Sequence, residues 1–252
     1  MSEVHAARVD GAEQVVAELR RANNDDLAII LVGSAARNVR TEESDIDLLL
    51  VGRERPSVPR SFPGFHIQAG STQEFLRNLQ NGEDFESWCV RLGVPLFDGG
   101  QWAELLGSEE AKNWPRWELK VVHGARRLFF ASEFIEMGDD LAASEELVYT
   151  LGHIARGLLL KAGVFPLSRP ELAGQIRTLG YPHLATLHER LRGNGVDSRL
   201  LGQARGYSKR LLCHLDRDAY RACATEYRRK QRAKKNRAAG GANEKGRGRS
   251  TR

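Results

Sequence analysis

The sequence predicts an α/β (α+β) domain built on a small mixed sheet, followed by an all-helical domain. Three observations carry that prediction. Short, almost wholly apolar runs at 27–33 and 45–52 each end in glycine, and a third strand-like run follows at 65–70. After about residue 108 such runs vanish, and long helical stretches take over. The expected domains are therefore 1–108, 109–227 and a basic, unstructured tail at 228–252.

Taken in order, Val15, Val16 and Leu19 give an amphipathic first helix from Gly11 to about Ala22. "LAIILVG" and "DIDLLLVG" read as neighbouring central strands, and "PSVPRSFPG" as a proline-broken loop before the strand "FHIQAG". Ser71 and Glu74 form a capping-box pattern ahead of a helix closed by Gly82. "DFESWCVRLG" reads as a short helix and "VPLFDGG" as a brief edge strand or turn. Helices are then expected over 113–137, 140–162, 168–178, 182–192 and 197–228. The third of these carries Ser168 as N-cap, Pro170 in its first turn and Glu171 three residues after the serine.

The segment 228–252 holds eleven Lys and Arg against one acid, Glu244, in a chain whose net charge is +5. The tail thus carries +10 and the remainder −5, so a duplex-binding face is not expected on the folded body. The tail has two readings of equal weight, attraction to RNA or another polyanion and a solvated tail without a role. No apolar run is long enough to span a membrane, and "MSEVHAARVD" lacks the features of a secretory signal, so a cytoplasmic location is expected. Cys89, Cys213 and Cys223 have no metal-ligand spacing and read as reduced, structural residues.

The chemistry lies in "LVGSAARNVRTEESDIDLLLVG". Side chains alternate along a strand, so Asp45 and Asp47 share one face while Ile46, Leu48 and Leu50 share the other. Antiparallel pairing of the two runs brings Gly33 and Ser34 to the same sheet edge as both carboxylates. Glycine at 33 allows close approach to the backbone, and Ser34 can cap a turn whose N–H groups face an anion such as phosphate. Two carboxylates on one face repel unless a cation lies between them. Hard oxygen ligands select Mg2+ or Mn2+, with a nucleoside triphosphate as the natural third partner.

Gly33, Ser34, Asp45 and Asp47 form G-S-x10-D-x-D, which resembles the signature of the polymerase-beta-type nucleotidyltransferase superfamily, above all its minimal members. Arg37 matches the arginine of "GSxAR" in that group, although Asn38 stands where glycine is common. The stretch ending "GVPLFD" is similar to the segment after the third strand. "LGHIARGLLLKAGVFPLSRPEL" resembles the attached helical domain, related to kanamycin-nucleotidyltransferase and HEPN-type modules. Together the similarity covers roughly residues 25–178. It implies transfer of NMP, AMP from ATP in particular, to an acceptor hydroxyl with release of pyrophosphate. Gly33 and Ser34 would hold the β and γ phosphates, Asp45 and Asp47 the metal, and Arg37 a phosphate. The acceptor, whether small molecule, protein or RNA, is not encoded in the motif.

Active members usually place a third acidic residue on the next strand, where this chain offers His66 and Gln68. Two readings follow. In one, two carboxylates suffice for Mg2+ held with the nucleotide. In the other, the protein is a catalytically silent nucleotide- or protein-binding regulator, such as an antitoxin-like partner of a HEPN-type toxin. The spacings Arg116–His123 and Arg177–His183 match the HEPN ribonuclease pattern of an arginine and a histidine, but an arginine-rich chain produces such pairs by chance.

Overall fold

The computed structural model describes residues 11–41, 44–193 and 195–246, with 234–246 as backbone only. The N-terminal unit contains α1 (Ala12–Ala22), β1 (Ala28–Val32), α2 (Gly33–Ala36), β2 (Ile46–Gly52), β3 (Phe65–Ser71), α3 (Thr72–Asn81), α4 (Asp84–Leu92), β4 (Val94–Asp98) and α5 (Gln101–Leu106). The helical part follows with α6 (Trp117–Met137), α7 (Asp140–Lys161), α8 (Arg169–Thr178), α9 (Pro182–Arg192), α10 (Ser198–Leu215) and α11 (Arg217–Gly246). Among the described residues no helix is long and apolar enough to cross a membrane.

The sheet has the order β3-β2-β1-β4 and is mixed. β1 pairs antiparallel with β2 and with β4, whereas β2 and β3 run parallel. Strand alternation splits the apolar side chains into two cores. Ile29, Leu31, Ile46, Leu48 and Leu50 face α1, whose Val15 and Leu19 complete that layer. Ala28, Ile30, Val32, Leu49 and Val51 face the other way, onto Phe75 and Leu79 of α3, Trp88 and Cys89 of α4, and Trp102 and Leu105 of α5. Phe75 meets Trp102 edge to face at 5.7 Å, a favoured aromatic geometry. Burying each of these Leu or Ile side chains contributes on the order of 2 kcal/mol, so the sheet is a rigid base for whatever projects from its edge.

Local signals fix the helix ends. In the α3 capping box the Ser71 hydroxyl accepts from the Glu74 N–H at 3.1 Å, and the Glu74 carboxylate accepts from the Ser71 N–H at 3.0 Å. α5, which sequence patterning does not predict, is nucleated by Asp98, whose carboxylate accepts from the N–H groups of Gly100, Trp102 and Ala103. α6 starts at Trp117 rather than 113, because Pro115 disfavours helical backbone at the preceding residue. The stretch expected as one helix over 197–228 is divided at Asp216, which leaves helical geometry and accepts from the Ala219 N–H at 2.9 Å as the N-cap of α11.

The chain forms two compact units, one made of 1–116 with 163–175 and the other of 117–162 with 176–252. The segment 163–175, which patterning assigns to the helical domain, thus belongs with the sheet. Phe165 packs against the α3/α4/α5 core, and the Arg91 guanidinium lies over the rings of both Trp114 and Phe165 at 5.4 and 5.3 Å. In the helical unit, α6 and α7 form the central pair, with Leu128, Leu147, Leu151, Ile154, Leu201 and Leu212 buried. α11 continues to Gly246, through most of the segment expected to be unstructured; residues 247–252 lie outside the described residues. That expectation weighed the shortage of apolar residues. Of residues 228–246, fourteen are Ala, Lys, Arg, Gln or Glu, strong helix formers that outnumber the two Asn and three Gly, and cations near a helix C-terminus favour the macrodipole.

Candidate functional site

Antiparallel pairing places Val32 opposite Asp47, so the last residue of β1 and the Gly33–Ser34 turn lie beside the second aspartate of the motif. Gly33 has φ +70, in the left-handed region that glycine alone adopts cheaply. Its missing side chain is occupied space. A methyl group there would lie 3.3 Å from the Asp47 carboxylate carbon and closer still to Oδ2. The turn and the carboxylate are therefore fitted to each other, and a larger residue at 33 would displace Asp47.

Ser34 opens the short α2 turn, and its carbonyl accepts from the N–H groups of Arg37 and Val39 at 3.2 and 3.0 Å. Asp47 sits in β2 and is partly exposed, while Asp45 lies exposed just before the strand. The loop that delivers Asp45 is tied by Arg40 donating to the Ser44 carbonyl at 2.9 Å and by a Thr41–Ser44 hydroxyl pair at 2.7 Å.

The parallel pairing of β2 and β3 sets His66 directly beside Asp47, and Gln68 beside Leu49. His66 Nδ1 is 3.1 Å from Asp47 Oδ1, with the two side chains 58% and 39% exposed. The position that could hold a third carboxylate thus holds an imidazole in direct contact with the second. Among the described residues, no group of three or more His, Cys, Asp or Glu is arranged to hold a metal ion. The donors that are present still suit one hard cation, since Mg2+ commonly takes one or two carboxylates and fills its remaining positions with phosphate and water.

Arg37 is already engaged. Its Nη2 donates to Glu171 Oε1 at 2.9 Å and its Nε to Oε2 at 3.3 Å, a bidentate pair within the same unit. Glu171 is also the capping acid of α8, accepting from the Ser168 N–H and hydroxyl. These contacts, led by the Arg37 hydrogen bond, hold the Glu171 carboxyl below the usual carboxylate range, and the same bond raises the Arg37 guanidinium. Sequence reasoning marks Glu171 only as a cap. Nothing in the sequence signals a partner at a separation of 134 residues.

The other sequence candidates are accounted for differently. Arg177 pairs with Glu189, and the His183 ring meets Tyr207 edge to face at 4.7 Å. His123 packs against His153 at 5.4 Å. Phe129 stacks on Tyr227 at 4.7 Å, so this aromatic is a packing residue.

The four-stranded mixed sheet, with its Gly-Ser turn fitted against a strand aspartate, lies almost wholly within a stretch that resembles a known family. Residues 12–95 match the family model described as nucleotidyltransferase domain. The crystal structure of a nucleotidyltransferase-like protein from Exiguobacterium sibiricum 255-15 is similar at 20% sequence identity, with a TM-score of 0.41, over 87% of this chain and 80% of that one. No curated protein matches.

Proposed function

We propose that the protein transfers a nucleoside monophosphate, AMP from ATP in the first instance, to an acceptor hydroxyl with release of pyrophosphate. The observation that carries this reading is the fit of the Gly33 turn against Asp47, since a glycine turn suits a phosphate and a carboxylate beside it suits a cation. Gly33 and Ser34 would hold the β and γ phosphates through backbone N–H groups and the Ser34 hydroxyl. Asp45 and Asp47 would hold Mg2+ or Mn2+. Once bound, such an ion would supply neutralisation of phosphate charge and polarisation of the phosphoryl group.

In the transfer itself the acceptor oxygen bonds to the α-phosphorus, and the bond from that phosphorus to the bridging oxygen breaks. The electron pair leaves with pyrophosphate. The hydroxyl proton needs an acceptor, and His66 supplies one. In the neutral tautomer that donates Nδ1–H to Asp47, the other ring nitrogen would carry a lone pair in an exposed side chain. Arg37, oriented by Glu171, stands one turn after Ser34, a position suited to steadying a phosphate.

The imidazole in register with Asp47, where a third carboxylate is usual, favours one other reading, a silent nucleotide- or protein-binding regulator. One experiment separates the two. Protein, Mg2+ and ATP labelled at the α-phosphate are incubated with lysate, and labelled acceptors are identified. Label that depends on Mg2+ and disappears with Asp45→Asn, Asp47→Asn supports transfer. Equal labelling by that variant overturns it, and calorimetric ATP binding without any pyrophosphate release favours the regulator.

A further inference from the structure

We propose that the C-terminal half of α11 is an electrostatic docking strip for nucleic acid, binding through the sugar-phosphate backbone without base preference. From Arg228 to Gly246 the helix carries Lys or Arg at 228, 229, 230, 232, 234, 235, 237 and 245, against the single acid Glu244. Arg228, Arg229, Lys230 and Arg232 are exposed, and of these Lys230 pairs with Glu226 at 2.6 Å. The rest of the chain is net acidic, so attraction for a polyanion is concentrated on this strip and opposed elsewhere.

The composition selects among polyanions. A helix that lies on an anionic membrane needs an apolar face, and between 228 and 246 the only apolar side chains are alanines. A stable protein interface is usually centred on aromatic or large apolar anchors, which this stretch also lacks. Charge without an anchor is what backbone recognition of nucleic acid requires, because its free energy comes from releasing condensed counterions. At 1.5 Å per residue the stretch is about 28 Å long, a span over which duplex nucleic acid presents on the order of 16 charges.

The test uses the full chain without ATP or metal, so its outcome is independent of the transfer reaction. Anisotropy of a fluorescein-labelled, mixed-sequence RNA oligonucleotide is followed across a salt titration. Affinity should fall about 10³-fold between roughly 50 and 200 mM salt. The variants Arg228→Gln, Arg229→Gln, Arg232→Gln and Lys234→Gln, Lys235→Gln, Arg237→Gln keep strong helix formers, which circular dichroism verifies. Each triple should lower the log–log salt slope by about 2. Asp47→Asn should bind RNA as the parent does. Absence of RNA binding at low salt, unchanged affinity and slope in both triples, or tighter partitioning onto phosphatidylserine vesicles than onto RNA would overturn the proposal.

Discussion

Asp47 and His66 touch across the parallel pairing of β2 and β3, with carboxylate oxygen and Nδ1 3.1 Å apart. Both side chains are well exposed, and a hydrogen bond in that setting contributes at most about 1 kcal/mol to stability. The pair matters for chemistry more than for folding. Asp47→Asn keeps the shape and removes the charge, so NMP transfer should fall by about 10²-fold or more while the melting temperature stays near that of the parent. Label transfer and a thermal melt on the same preparation check both halves.

Gly33 and Gly64 form a controlled comparison. Both have positive φ, +70 and +77, but a side chain at 64 meets open space whereas one at 33 meets Asp47. Gly64→Ala should cost only the left-handed backbone penalty, about 1 kcal/mol. Gly33→Ala should cost more in urea denaturation and should also abolish transfer, since the methyl displaces the carboxylate. Equal stability losses with transfer retained in both would show that the close fit at Gly33 is unimportant.

The Arg37–Glu171 pair predicts an acid-sensitive contribution to stability. Because the folded state holds the Glu171 carboxyl below its ordinary value, the stabilisation is fully present above that ordinary value and is lost as pH falls through the depressed one. Glu171→Gln should therefore lower stability by about 1 kcal/mol at neutral pH, with the gap to the parent closing below about pH 4. Denaturation curves from neutral pH down through that range measure it. A constant gap would mean that the pair contributes through shape alone.

Short, almost wholly apolar runs ended by glycine made β1 and β2 legible, and the short link between Ser34 and Asp45 made their antiparallel pairing legible too. The contact between Gly33 and Asp47 follows from those two readings. The capping box at Ser71 was equally readable, because it depends on side chains three residues apart. What escaped depended on longer separations or on single caps. Asp98 nucleates a helix too short for periodicity to reveal, and Asp216 breaks an apolar pattern that otherwise runs on. Glu171 looks from sequence like a local cap, and only the tertiary structure supplies Arg37 as its partner.

The placing of 163–175 with the sheet means that the polypeptide passes from one unit to the other three times, after Arg116, Ala162 and Gln175. The two units are therefore interlaced along the chain, and neither is a contiguous piece that a single cut could release. A fragment ending at Arg116 would keep every motif residue from Gly33 to His66, yet it would lose Phe165 from its core and leave the Arg37 guanidinium without its carboxylate. Dissecting this protein into working parts calls for circular permutation or a grafted 163–175 segment rather than truncation.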